Sequence, residues 1–312
     1  MSRAFVFPGQ GSQAVGMGKE LAGAMPAARH LLEEVDDALG QNLTRLMFEG
    51  PEEELVLTEN AQPALMAVSL ATVRVLEDAG MDLTKAAAFV AGHSLGEYSA
   101  LAAARAIGLG DTARLLKIRG QAMQRAVPVG VGAMAAILGM DAKDALDVVA
   151  EAAAGEVCAV ANDNGGGQVV VSGDKAAVER AIELAKEKGA KRGILLPVSA
   201  PFHSPLMEPA AEAMADALAD VDIRAPAVPL VANVSASSVT DPGEIRKLLV
   251  DQVTNLVRWR ESVLYLRDQG VDKLVELGSG KVLTGLTRRI DREIQASAVV
   301  SPEDVEAFFA AL

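Results

Sequence analysis

The feature that most narrows the folds open to this chain is a five-residue turn, Gly92-His93-Ser94-Leu95-Gly96. It lies between a short apolar stretch (87–91) and a run of good helix formers (97–106). Strand, glycine turn and helix in that order make a βα unit with a serine at its apex. The two glycines permit a turn so sharp that the hydroxyl stands clear of the sheet. The same turn aims N–H groups at the start of the helix toward whatever the serine attacks. A tight βα turn that merely happens to hold serine is the competing reading.

The surrounding texture predicts an α/β chain with a mostly parallel sheet covered on both faces. Residues 4–7 read as a buried strand stopped by Pro8-Gly9, and 16–39 carry apolar residues at helical spacing. Helices are expected over 63–79, starting at Pro63, and over 111–126. Pro128-Val129-Gly130 then marks a boundary. Beyond it the pattern predicts strand 132–138, helix 141–153, strand 157–161, a turn at 162–167, strand 168–172, helix 174–188 and strand 192–196. Both helices open on an N-cap aspartate, Asp141 and Asp174. That order, βαββαβ, is the ferredoxin-like one. After Pro197 the first texture returns, with strands expected at 228–234, 273–277 and 296–300. The expected organisation is a large α/β-hydrolase-like domain, residues 1–127 and 199–312, holding an inserted ferredoxin-like subdomain, residues 128–198.

Composition excludes several classes of partner. The formal charge of -13 argues against nucleic acid or anionic membrane. One cysteine, Cys158, allows no internal disulfide and suits a reducing compartment. The N-terminus, Met1 to Pro8, reaches a turn too early for a secretory signal, so a cytoplasmic location is expected. No Cys/His cluster suggests a metal, and no bound cofactor is expected.

A serine nucleophile needs a base, and the chain has three histidines. His30 falls in an acidic amphipathic helix. His93 adjoins the serine, so its side chain should leave the sharp turn in another direction. His203, in Pro201-Phe202-His203-Ser204-Pro205, follows the serine in the chain order of α/β-hydrolase sites and is the best candidate base. No acid is marked as its orienter, and a backbone carbonyl could serve instead. Two glycine-rich runs mimic nucleotide sites and are set aside. Gly9-Gln10-Gly11-Ser12-Gln13-Ala14 lacks the later strand ending in an acid, and Gly278-Ser279-Gly280-Lys281 lacks the spacing of a phosphate loop.

Four motifs then coincide in order: Phe7-Pro8-Gly9-Gln10-Gly11-Ser12-Gln13, Gly92-His93-Ser94-Leu95-Gly96-Glu97, Pro201-Phe202-His203-Ser204 and Gly280-Lys281-Val282-Leu283-Thr284-Gly285-Leu286. Together they resemble the malonyl-CoA:acyl carrier protein transacylases of bacterial type II fatty acid synthesis, from about residue 4 to about residue 300. The resemblance implies an acyltransferase that carries malonyl on Ser94, with His203 as general base and then acid. It implies an oxyanion hole from the N–H groups of Gln10 and Leu95, and a main-chain carbonyl at Gln252 to orient His203. Arg119 matches the arginine that grips the malonyl carboxylate; its residues alone favour a surface arginine beside Arg114, Lys117 and Arg125. Asn162 matches a substrate-lining position, and Leu95 and Phe202 match residues that go with malonyl. The implied partners are malonyl-CoA and, transiently, acyl carrier protein, with the chain acting as a monomer. Carrier proteins are usually acidic, so docking on a chain of this charge needs a local basic patch. Lys191, Arg192, Lys281, Arg288 and Arg289 are the candidates, against the alternative of ordinary solvated charges.

Two other readings remain open from the sequence. The elbow and histidine would equally serve an esterase or thioesterase, and the acceptor could belong to polyketide rather than fatty acid synthesis. A carrier-binding scaffold with a degenerate site is the non-enzymatic alternative.

Overall fold

The strand nearest the N-terminus shows why the sheet is buried on both sides. In the computed structural model, which describes residues 2–311, β1 spans Arg3–Phe7. Its Phe5 and Phe7 side chains enter one apolar cluster while Ala4 and Val6 enter another. Alternate residues of a strand point to opposite faces, so an uninterrupted apolar run requires a cover on each side. The same sheet contains β2 (Phe89–Gly92), β7 (Leu230–Val231), β8 (Ser238–Val239), β9 (Lys273–Leu277) and β10 (Gln295–Val299), in the spatial order β10-β9-β1-β2-β7-β8. All its pairings are parallel except β7 with β8.

The second sheet is antiparallel and built from β3 (Gly132–Leu138), β4 (Cys158–Gly165), β5 (Gln168–Asp174) and β6 (Arg192–Leu195), in the order β4-β5-β3-β6. The helices Ala142–Ala153 and Lys175–Glu187 cover one face through a core of their own, centred on Ile137, Val148, Val171 and Ile182. This is the ferredoxin-like arrangement. It is stitched to the large sheet's side by one short parallel bridge, Asn162 to Val257, flanked by Val257 N–H to Ala161 C=O at 2.9 Å and Asp163 N–H to Val257 C=O at 3.0 Å.

Four local expectations change. The helix expected to start at Pro63 begins at Thr58 and contains Pro63. The early start is held by close packing on a neighbouring helix, described below. The strand expected over 228–234 shrinks to Leu230–Val231, because Ala232 to Ser235 form a turn around Asn233. β4 runs on through part of the expected 162–167 turn, since its far half pairs with β5 through register shifts. Asp174 makes no N-cap bond; its carboxylate instead accepts the Val157 N–H at 2.8 Å. Asp141 does cap its helix, accepting from Asp144 N–H at 3.0 Å. Among the described residues no helix is long and apolar enough to cross a membrane.

Candidate active site

The elbow is enforced by steric closeness on one side and by a side-chain clamp on the other. A Cβ at Gly92 would collide with the Gly96 backbone, and one at Gly96 with the Phe7 carbonyl, so neither position tolerates a side chain. Ser94 sits between them with φ of 53°, in the left-handed region that a non-glycine residue enters only at a cost of roughly 1–3 kcal/mol. Asn233 holds it there. Its Oδ1 accepts the Ser94 N–H at 2.7 Å, and its Nδ2 donates to the Gly92 carbonyl at 2.6 Å. Its own N–H donates to Glu97 Oε2 at 3.0 Å.

His203 Nε2 lies 2.8 Å from Ser94 Oγ, and its Nδ1 lies 2.8 Å from the Gln252 carbonyl oxygen. A carbonyl only accepts, so Nδ1 carries the proton and Nε2 presents its lone pair to the serine O–H. Gln252 ends the Pro242–Asp251 helix, where main-chain carbonyls lack an intrahelical partner, and its C=O is therefore free for this task. Burial, helped by the Arg119 guanidinium, pushes the His203 imidazole down to about 3, so it is neutral at physiological pH. The other two histidines are elsewhere in their bonding. His93 Nε2 lies 2.9 Å from Asn164 Oδ1, away from the serine, and His30 is exposed.

Arg119 is not a surface residue: it is 1% exposed on the inner face of the Leu109–Ala126 helix. Its Nη1 donates to Gln62 Oε1 at 2.7 Å, and its Nη2 donates to Gln252 Oε1 at 2.9 Å and to Ser94 Oγ at 3.2 Å. The guanidinium carbon lies 5.7 Å from the Tyr98 ring centroid, within cation–π range. Every acceptor it meets is neutral. A buried guanidinium beside the serine, with no carboxylate partner among the described residues, is a site that a carboxylate can complete.

Gln10 and Leu95 follow from strand register. Phe7 of β1 pairs with Gly92 of β2, and the two residues lie three positions beyond that pair on adjacent loops. Neither N–H has an acceptor among the described residues, and Leu95 stands at the N-terminus of the Gly96–Ala103 helix. Two free donors beside a nucleophile suit a developing oxyanion. The glycine run at 278–280, set aside as a nucleotide loop, supports this region: Ser279 Oγ donates to the Ser12 carbonyl at 2.7 Å.

A cleft of about 670 Å³ opens over Ser94 and His203 between the two sheets. Gln10, Asn162 and Phe202 line it, with Met134 and Val198 adding apolar wall from the small subdomain's side. Among the basic candidates, Lys191 packs beside Gly139, whose N–H donates to the Gly167 carbonyl at 2.7 Å. Arg289 backs onto Gly166 and donates to Gln168 Oε1 at 3.2 Å. Arg289 thus touches the β4–β5 turn directly, and Lys191 lies against the Gly139 that bonds it. Arg192 is exposed beside Lys191, Arg288 turns to the Ala296 carbonyl at 3.2 Å, and Lys281 precedes the Val282–Ile290 helix. None of the five is in a salt bridge with a described residue.

Asn233, Glu97, Gln62 and Thr58 were not evident from sequence. Asn233 falls inside the strand expected over 228–234, and Thr58 and Gln62 precede the helix start expected at Pro63. Glu97 is 1% exposed, and burial pushes its carboxyl up to about 7.

Residues 4–303 match the acyl transferase domain family. The malonyl CoA-acyl carrier protein transacylase of Bacillus subtilis is 48% identical over 306 residues, 97% of this chain and 95% of that one. The protein of the same name from Escherichia coli K12 is 49% identical over 304 residues, 97% of each. Among solved structures, the acyl-carrier-protein S-malonyltransferase of Bartonella henselae is 57% identical with a TM-score of 0.98, over 100% of this chain and 99% of that one. A malonyl-transacylase solved in complex with a type II PKS acyl-carrier protein is 43% identical with a TM-score of 0.97, over 100% of both.

Proposed function

The chain belongs to the acyl transferase domain family, and from that membership we propose that it moves malonyl from malonyl-CoA to the phosphopantetheine thiol of acyl carrier protein, in fatty acid biosynthesis. The observation that carries the reading is the buried Arg119 guanidinium hydrogen-bonded to the nucleophile itself, 3.2 Å from Ser94 Oγ. An esterase needs no such cation at its serine; an enzyme that holds a carboxylated acyl group does.

The reaction proceeds in two halves. Ser94 Oγ attacks the thioester carbonyl while His203 Nε2 takes its proton, and the tetrahedral oxyanion is received by the Gln10 and Leu95 N–H groups. The C–S bond breaks, and His203 returns the proton to the CoA thiolate as it leaves. In the second half the carrier thiol gives its proton to His203 and attacks the malonyl ester, and Ser94 recovers its proton as the ester C–O bond breaks. The Gln252 carbonyl keeps the imidazole in the tautomer both halves require. Throughout, Arg119 holds the malonyl carboxylate, and Asn162 and Phe202 bound the acyl group.

Ser94, His203, Arg119 and Gln252 all come from one chain, which supports action as a monomer. The single thiol, Cys158, suits the cytoplasm. That Arg289 lies on the β4–β5 turn and Lys191 near it, with none of the five cations in a salt bridge with a described residue, supports a docking face for the acidic carrier that includes Arg192, Lys281 and Arg288.

The test is intact-mass spectrometry after incubation with malonyl-CoA. Wild type should gain one malonyl group and Ser94→Ala none, and the adduct should pass to holo carrier protein faster than it hydrolyses. Equal labelling of Ser94→Ala would end the covalent reading, and hydrolysis as fast as transfer would favour a thioesterase.

A further inference from the structure

Arg119 is joined to the oxyanion side of the site by a buried chain of side chains that the reaction outlined above does not use. Arg119 Nη1 donates to Gln62 Oε1 at 2.7 Å, Gln62 Nε2 donates to Thr58 Oγ1 at 2.9 Å, and Thr58 Oγ1 donates to Gln10 Oε1 at 3.1 Å. Thr58 and Gln62 are each 1% exposed, so the two inner bonds are shielded from water, while the last reaches the half-buried Gln10 at the cleft wall.

The direction of the chain is fixed by chemistry. A guanidinium only donates, so Gln62 must turn its oxygen to Arg119 and its NH₂ to Thr58. The Thr58 hydroxyl then accepts from Gln62 and has one proton left, which it gives to Gln10. Each link determines the next, and the last link anchors the residue whose backbone N–H faces the oxyanion.

The backbone is locked in the same place. Gly120, next to Arg119, packs so closely on the Thr58–Asp78 helix that a Cβ there would lie 2.6 Å from the Thr58 carbonyl oxygen. This contact holds the helix start at Thr58, ahead of Pro63, and keeps Thr58 and Gln62 within reach of both ends of the chain.

We infer that Thr58 and Gln62 are positioning residues that couple the seating of a carboxylate on Arg119 to the placement of the Gln10 oxyanion donor. The inference rests on the malonyl reading above and deepens it. A carboxylate replaces Ser94 Oγ on Arg119 Nη2 and pulls on the guanidinium; Gln62 and Thr58 pass that constraint to Gln10. Selection for a carboxylated acyl group is then exercised partly on the rate of acylation and not only on binding. A neutral acyl group leaves Arg119 unseated and gains nothing from the chain.

The test is single-turnover acylation of Ser94 by malonyl-CoA and by acetyl-CoA in Thr58→Val, which keeps the shape and removes the hydroxyl. Loss of one such bond in the transition state corresponds to about a tenfold fall in the saturating malonyl rate. The malonyl-CoA concentration at half-saturation should stay within about twofold, the acetyl rate should fall less than about threefold, and Thr58→Ser should restore the malonyl rate. In the Arg119→Met background, Thr58→Val should have almost no further effect. The malonyl-to-acetyl ratio is read within one preparation, so partial misfolding does not alter it. The coupling is refuted if Thr58→Val leaves the malonyl rate unchanged, slows both acyl groups equally, or acts undiminished without Arg119. Wild type that gains no malonyl mass would remove the malonyl reading itself, and the coupling with it.

Discussion

Removing the Arg119 guanidinium should cost the enzyme its preference for a carboxylated acyl group far more than its capacity to acylate Ser94. Arg119→Met is the informative variant, because it keeps much of the stem's volume and avoids the cavity that alanine would leave at a fully buried position. In the proposed reading the malonyl carboxylate sheds its water to enter this site, and the guanidinium is the compensation. Deleting one partner of a buried, hydrogen-bonded charge pair costs about 3–5 kcal/mol. At 1.36 kcal/mol per factor of ten, the malonyl-to-acetyl rate ratio should fall by roughly two to nearly four orders of magnitude. Acetyl has no carboxylate to desolvate, so its acylation should change mainly through the loss of the 3.2 Å contact to Ser94 Oγ. The assay is rapid-quench acylation with each thioester, followed by intact mass. Arg119→Lys should fall between the two, since an ammonium supplies charge without the planar fork. Equal losses on malonyl and acetyl would show that Arg119 supports the serine and does not read the carboxylate.

Four further outcomes follow from the geometry. The Glu97 carboxyl, ordinarily near 4.5, is pushed up to about 7 by burial, so the folded state holds its proton more tightly than the unfolded state does. The resulting stability is full below 4.5 and is lost as pH rises through 7; the gap amounts to on the order of 3 kcal/mol. Glu97→Gln should therefore gain melting temperature relative to wild type between pH 5.5 and 8, and a difference independent of pH would remove this account. His203, held near 3, stays neutral across the same range, so single-turnover acylation in Glu97→Gln should show no acid limb near 6.5. Asn233→Ala leaves the Ser94 N–H and Gly92 C=O unpaired and should cost about 2–4 kcal/mol in denaturant unfolding; a loss below about 1 kcal/mol would mean the elbow holds without its clamp. Charge reversal at Arg288 and Arg289 should raise the KM for carrier protein and leave that for malonyl-CoA, whereas no change would refute the basic docking face.

What the sequence disclosed and what it hid divide along a physical line. The elbow, the βαββαβ order and the choice of His203 rest on local signals: glycine spacing, periodicity and a short list of bases. Arg119 rests on tertiary burial, and its own helix, with Arg114, Lys117 and Arg125 nearby, reads as a solvated face. In the structure it shares the buried stripe of that helix with Leu115, Leu116 and Met123, beside the close contact of Gly120 with the Thr58–Asp78 helix. The same packing hid Thr58 and Gln62, because local propensity starts that helix at Pro63 and tertiary contact extends it backward by five residues to Thr58. Asn233 was hidden for the converse reason, since its apolar neighbours suggest a strand that the Ser94 clamp interrupts.

The missing third member of the triad has a physical explanation in the same pocket. A carboxylate placed to orient His203 would lie beside a buried guanidinium and pair with it, for two opposite charges in a water-poor site do not remain apart. Arg119 would then be satisfied before any substrate arrived, and an incoming malonyl carboxylate would meet an additional negative charge. Orienting the imidazole with the Gln252 carbonyl avoids both outcomes, because a main-chain dipole fixes the tautomer without neutralising the arginine. Glu97, a buried acid bonded to Gln252, fits this logic: the Gln252 side chain stands between it and Arg119, its Nε2 donating to Glu97 at 2.8 Å and its Oε1 accepting from Arg119 at 2.9 Å. Gln252 thus orients the base through its backbone and, through its side chain, separates the guanidinium from an acid that would otherwise quench it. A serine site that must read a carboxylate at the reacting centre is better served by a histidine oriented without charge, and the arrangement here follows from placing Arg119 within reach of Ser94.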